Sequence, residues 1–206
     1  MANYKLETQL RSAGHDIIAG VDEVGRGPWA GPVTACAVIL DPNNIPDGLN
    51  DSKKLTAKRR EALFELIMDS AQVSLIHVEV EEIDEINILQ ATFRAMERAL
   101  ANLSIPNHIL IDGNKIPPNL TAPATAVIKG DGKSVSIAAA SIIAKVTRDR
   151  LMLDLSKLYP GYGWETNAGY GTKMHQSGLL NHGVTPHHRR SFKPIHNILF
   201  SASNPK

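Results

Sequence analysis

The 206 residues carry 22 Lys and Arg against 21 Asp and Glu, a formal charge of +1, with 43% hydrophobic and 21% charged residues. This balance excludes a disordered polyelectrolyte, predicts one core of ordinary size, and leaves any nucleic-acid surface to local segregation of charge. A single cysteine excludes an internal disulfide, and no stretch has the apolar length of a membrane span or secretory leader, so a cytoplasmic chain without membrane contact is expected.

Ile17–Val24 reads as a first strand, a run of β-type residues that delivers Asp22 and Glu23 to its end. Gly25, Arg26 and Gly27 follow, and the glycines let another backbone or a ligand approach closely. Pro32–Leu40 predicts a second strand, with Cys36 as a small buried hydrophobe and Asp41-Pro42 as its stop. The short connection between the two predicts an antiparallel pair. Asn50–Lys54 is a polar loop, and Thr56 caps a helix that places Leu63, Leu66, Ile67 and Ser70 on one side. Val73–Val80 alternates as a third strand.

Leu89, Phe93, Met96, Leu100 and Leu103 then mark an amphipathic helix ended by Pro106. His108–Ile111 is a short buried strand that stops at Asp112-Gly113; Thr125–Ile128 is another, closed by Lys129-Gly130-Asp131-Gly132. The longest helix runs from Ser134 to about Tyr159, and its Ala138, Ala139, Ala140 and Ser141 predict close packing on a sheet. Beyond Pro160 the chain is rich in Gly, His and Pro, with one short helical stretch near Met174–Asn181. The order of elements predicts an α/β sheet with antiparallel and parallel parts. Residues 1–206 are expected to form one domain, with residues from about 160 onward as a C-terminal helical extension folded beside the site.

Asp22, Asp112 and Asp131 all fall at strand ends or just after them, the edge where such sheets hold ligands. An isolated Asp-Gly is ordinarily a turn. Asp22 and Glu23 are harder to dismiss, because a carboxylate ending a buried strand is costly unless paired or metal-bound. Acids delivered by separate strand ends suit Mg²⁺ or Mn²⁺, and no Cys/His spacing of zinc type competes. Two phosphate-loop patterns fail. Gly25-x-Gly27-x-x-x-Gly31 is interrupted by Pro28 and Pro32 and leads into a strand, and Gly132-Lys133-Ser134 has Val127 where a P-loop needs glycine. Lys53, Lys54, Lys58, Arg59 and Arg60 cluster either as a solvated face or as phosphate contacts. His182, His187 and His188 lie among Arg189, Arg190 and Lys193 and read as a basic surface.

Several blocks carry a resemblance: D-E-V-G-R-G-P-W-A-G-P-V (22–33), L-N-D-S-K-K-L (49–55), N-I-L-Q-A-T (87–92), I-D-G-N (111–114), V-I-K-G-D (127–131), I-A-A-A-S-I-I-A-K-V-T-R-D (137–149), G-Y-G-T (169–172) and H-H-R-R-S-F (187–192). Together, in this order and over nearly the whole chain, they resemble the type 2 ribonucleases H, on the bacterial ribonuclease HII branch. The resemblance implies a ribonuclease H-like mixed five-stranded sheet flanked by helices. It also implies an endonuclease that cuts the RNA strand of RNA–DNA hybrids and single ribonucleotides in duplex DNA, by a two-metal mechanism leaving 5′-phosphate and 3′-hydroxyl ends. Asp22, Glu23, Asp112 and Asp131 match the family's metal-binding quartet; Gly25, Arg26, Gly27 and Tyr170 match its ribonucleotide-sensing elements. Asp149 lies in a matching block but within a helix, and reads as a supporting residue. Lys53 and Lys54 are candidates for phosphate positioning, and a monomer is expected. Two departures stand out: Trp29 where a smaller aliphatic residue is usual, and Ala168 where lysine is common. The competing readings are a catalytically silent hybrid-binding module, which would need no acids at strand ends, and another metal nuclease on the same fold.

Overall fold

The computed structural model describes residues 1–201. Its centre is a five-stranded sheet of β1 (Ile18–Val24), β2 (Val33–Leu40), β3 (Ala71–Val78), β4 (His108–Asp112) and β5 (Ala124–Val127), in the order β3-β2-β1-β4-β5. β2 pairs antiparallel with β1 and β3, whereas β1–β4 and β4–β5 are parallel. β2 is buried along its whole length and β1 along most of it, which is why both read as apolar runs rather than alternating ones.

The sheet is sandwiched between α3 (Val80–Ala101) on one face and α2 (Ala57–Ser70) with α4 (Val135–Leu158) on the other. α3 rests Ala91, Ala95, Ala99, Met96 and Leu100 on Val21, Ala35, Ala37, Ile109 and Ile111. On the opposite face Ala138, Ala139, Ile142 and Ile143 join Leu63 and Ile67 over Cys36 and Val38. The small residues of α4 bring it so near β1 that a Cβ at Gly20 would collide with the backbone of Ser136 and Ile137. A further helix, α1 (Lys5–Ser12), supplies the buried Glu7, whose Oε1 accepts from Ser134 Oγ (2.5 Å) and the Ser136 amide (3.0 Å) at the start of α4.

The structure departs from the sequence expectation at several places. β3 starts and ends two residues early: pairing stops at Val33↔Val78, and Val80 opens α3 instead of closing the strand. α3 breaks at Asn87 (φ 67°, ψ 162°), whose side chain accepts the amides of Leu89 and Gln90 at 3.0 and 3.2 Å and restarts the helix as a cap. Leu89 and Phe93 do not face the core; they line a cleft with Glu23 and Asp112, and the alanines take the sheet side because they permit close approach. Leu66 of α2 is half exposed. Beyond α4, the chain forms α5 (Trp164–Asn167), α6 (Lys173–His182) and α7 (Lys193–Ser201), of which only α6 was expected. These pack Trp164, Leu179 and Ile195 against Ala30, Met152 and Tyr162. Among the described residues no helix is long and apolar enough to cross a membrane.

Candidate active site

Parallel pairing sets Val21 opposite Ile111, so Asp22 and Asp112 leave β1 and β4 side by side at one sheet edge. β5 pairs Val127 with Asp112; the chain then turns through Lys129, in the left-handed region at φ 55°, into a tight turn over Gly130–Gly132 that carries Asp131. The Gly130 amide donates to Asp112 Oδ1 at 2.6 Å and docks this turn on β4. As a result, one carboxylate oxygen from each of Asp22, Asp112 and Asp131 lies within 4.8 Å of the others. Glu23 stands beside this group but turns towards Arg26, with its Oε1 3.3 Å from the guanidinium, while its amide donates to Asp22 Oδ1 at 2.7 Å.

The electrostatics follow from burial and like charge. Burial pushes the Asp22 carboxyl well above the usual range, and the charges of Glu23 and Asp112 push it further. Burial also raises Glu23, against the opposing pull of Arg26. Asp131 is raised by burial and then by Asp112. A cluster in which carboxyls hold protons against their ordinary preference is one that a bound cation would relieve, and its donors are all oxygens. Asp22, Asp112 and Asp131, with Glu23 adjacent, could hold a hard divalent ion.

Next to the acids, the Gly25–Gly31 loop is held from behind by two buried arginines. Arg189 donates to the carbonyls of Gly25 (2.5 Å), Arg26 (3.0 Å) and Gly31 (2.8 Å). Arg148 donates to those of Pro32 (2.9 Å), Ala30 (3.2 Å) and Ala168 (2.9 Å). Burial lowers their pKa values to about 9 for Arg189 and about 10 for Arg148, so both stay charged near neutrality. Gly25 adopts φ +89°, and a Cβ there would strike the Arg148 side chain. A Cβ on Gly27 would stand 3.2 Å from the Tyr170 ring, which is therefore packed on bare backbone. The Trp29 amide ties this loop to the Gly169 carbonyl at 2.8 Å.

A family model described as Ribonuclease HII matches residues 19–195 of this chain. The chain belongs to the ribonuclease HII family. A ribonuclease HII from Ruegeria pomeroyi is 65% identical over 199 residues, covering 96% of this chain and 85% of that protein. One from Jannaschia sp. is 66% identical over 198 residues, covering 96% and 98%. The crystal structure of ribonuclease H2 from Pyrococcus horikoshii aligns with a TM-score of 0.77 at 31% identity, over 92% of this chain and 100% of that one. As a member of the ribonuclease HII family the protein is a hydrolase, an endoribonuclease of ribonuclease H type, and its sheet with flanking helices is ribonuclease H-like.

Within this ribonuclease HII framework the other sequence candidates separate. Lys53 and Lys54 both line a cleft with Asp51, Asp112, Lys129, Asp131 and Gly132, but Lys54 is paired with Asp51 at 3.5 Å. Lys53 is close enough to the acids for its charge to lower both Glu23 and Asp131. Arg59 and Arg60 are not free for phosphate: they bond the carbonyls of Asp47 (2.6 Å), Ser52 (2.9 Å) and Leu55 (2.6 Å) and hold the loop that carries Lys53. Asp149 pairs with Lys145 at 2.7 Å and is no member of the acid group. The expected basic surface near the C-terminus is partly interior, since His188 and Arg189 are buried. Trp29 lies against Gly171, which has no room for a Cβ beneath the indole, and Ala168 takes φ 48° while giving its carbonyl to Arg148. Arg148 and Arg189 were missed by sequence reasoning. Their only signal was position within the segments 137–149 and 187–192, because a buried guanidinium bonded to carbonyls looks like any surface arginine in one dimension.

Proposed function

We propose that the enzyme cuts the RNA strand of RNA–DNA hybrids and also single ribonucleotides embedded in duplex DNA, leaving 5′-phosphate and 3′-hydroxyl ends. The observation that carries this reading is the convergence of Asp22 of β1, Asp112 at the end of β4 and Asp131 of the turn after β5 to within 4.8 Å. Asp22, Glu23, Asp112 and Asp131 would hold Mg²⁺ or Mn²⁺, which when bound supply Lewis-acid stabilisation of charge and water activation for in-line displacement. The rest belongs to the chain. Discrimination of RNA from DNA must read the 2′-hydroxyl, which both donates and accepts. The carbonyls of Gly25 and Arg26 are taken by Arg189, so the loop offers its amides to that hydroxyl. Tyr170, half exposed above Gly27, would stack on the sugar or adjacent base and reject a deoxyribose geometry. Arg26 balances Glu23 while facing the same cleft as Lys115. Lys53 would position phosphate from the far side.

The test compares three substrates in Mg²⁺: a DNA duplex with one ribonucleotide, an RNA–DNA hybrid and an all-DNA duplex. The first two should be cut with 5′-phosphate and 3′-hydroxyl ends and the third left intact. Cleavage of the hybrid alone would remove the embedded-ribonucleotide activity, and cleavage of all-DNA duplex would overturn the reading of the loop and Tyr170.

A further inference from the structure

Behind Tyr170 lies a buried pair of histidines that the acid site does not explain. His175 of α6 and His188 are 0% and 1% exposed, with their Nε2 atoms 2.9 Å apart. Geometry assigns each proton. Trp164 Nε1 can only donate, and it reaches His175 Nε2 at 3.2 Å, so that nitrogen accepts. His175 Nδ1 then carries the hydrogen and donates to the Tyr170 carbonyl at 3.0 Å. On His188, Nδ1 accepts from the Thr185 amide at 3.0 Å, which leaves Nε2–H to donate to His175, whose single Nε2 lone pair it shares with Trp164 in a three-centre bond. The bonds run one way, from Thr185 through His188 and His175 to Tyr170. A second proton on His175 would set an N–H against two donors, and burial accordingly lowers the pKa of His175 and takes that of His188 down to about 3.

The chain ends on a carbonyl that the Thr172 amide also bonds at 2.8 Å, so both lone pairs of Tyr170 are engaged and its turn is fixed. Arg189, the residue after His188, grips the carbonyls of Gly25, Arg26 and Gly31. Neighbouring side chains of one segment thus hold the two walls that meet where the Tyr170 ring covers Gly27. We propose that His175, oriented by His188, is a positioning residue: it fixes Tyr170 against the Gly25–Gly27 loop and so sets the enzyme's selection of ribonucleotides. This rests on the reading of Tyr170 as the ribose-sensing ring.

The experiment measures kcat and KM in Mg²⁺ on a duplex with one ribonucleotide, for His175→Leu and His175→Asn in wild-type and Tyr170→Ala backgrounds. Leucine fills space without a donor; asparagine keeps an N–H near the Nδ1 position. In the wild-type background His175→Leu should lower kcat about tenfold or more with KM within about twofold, as misplacement of a contact group does, and His175→Asn should stay within about threefold of wild type. In the Tyr170→Ala background His175→Leu should cost nothing further. Equal losses for Leu and Asn, or losses that add to those of Tyr170→Ala, overturn the inference while leaving the ribose-sensing reading intact. Normal turnover of Tyr170→Ala overturns that reading and the inference with it. One measurement is independent of how the variants fold: ring ¹⁵N shifts of the wild type should show His175 protonated at Nδ1 and His188 at Nε2. A His175 protonated at Nε2 cannot donate to Tyr170 and ends the proposal.

Discussion

Asp22 carries a carboxyl whose charge is opposed by burial and by its acidic neighbours. It is 5% exposed, is the last buried residue of β1, and has the carboxylates of Glu23, Asp112 and Asp131 for neighbours. Removing its charge should therefore help the metal-free fold. In EDTA, Asp22→Asn is expected to raise Tm by a few degrees, the shift of roughly 1 kcal/mol in a protein of this size, while abolishing cleavage. A lower Tm would mean that the carboxylate is not held against repulsion. The two lysines of the polar loop give a second contrast. Lys53→Ala should reduce the salt dependence of duplex binding by about one phosphate contact, whereas Lys54→Ala, already paired with Asp51, should leave the slope unchanged. Equal slopes for both variants would remove Lys53 from the phosphate path. At this scale the sequence was most legible where a residue type is expensive in its place, as with acids ending an apolar strand. It was least legible for Arg148 and Arg189, whose burial depends mostly on carbonyls contributed by residues more than a hundred positions away.

Among the elements, the strands were readable because burial on both faces leaves an unbroken apolar run, and β1, β2 and β4 all show it. The long helices were found, and the expected face of α3 is right for Met96 and Leu100, and for Leu103 just beyond it, but not for Leu89 and Phe93. Met96 and Leu100 pack on the strands beside Ala91, Ala95 and Ala99, whereas Leu89 and Phe93 turn to the cleft. α1 and α7 were not foreseen. α1 earns its place through Glu7 beneath the start of α4, and α7 through Ile195 in the cluster around Trp164. The loop between β1 and β2, which we propose reads the ribose, takes its shape from the fork of Arg189. Arg189→Lys keeps the charge but cannot reach three carbonyls with a planar fork. It should lower kcat/KM on the single-ribonucleotide duplex by about tenfold or more, with circular dichroism unchanged. Wild-type kinetics in that variant would show that the loop holds its form without the guanidinium.

For the whole molecule, metal binding at the acid cluster would be linked to its protonation. Asp22, Glu23 and Asp131 have raised pKa values in the fold, so folded protein holds protons that unfolded protein has released. Their contribution to stability is fully present below the ordinary carboxylate range and is lost as pH rises through the folded values. The buried histidines act in the opposite direction: His188, at about 3 in the fold against a usual 6.5, costs stability as pH falls between those values. A divalent ion needs the carboxylates deprotonated and relieves only their mutual repulsion. The rise in Tm on adding Mg²⁺ should consequently be larger at pH 7.5 than at pH 5. An equal rise at both would place the ion away from these acids.

Whether the acid cluster holds the ion that cleavage requires is tested by following cleavage of the single-ribonucleotide duplex across a Mg²⁺ titration, with wild-type protein, wild-type protein in EDTA, and Asp112→Asn. Asp112 joins the strand edge to the turn that brings Asp131, so its loss should cost roughly 100-fold or more at every Mg²⁺ concentration, with the fold retained, and EDTA should abolish wild-type activity. Near-normal turnover by Asp112→Asn, or cleavage that persists in EDTA, would contradict the account.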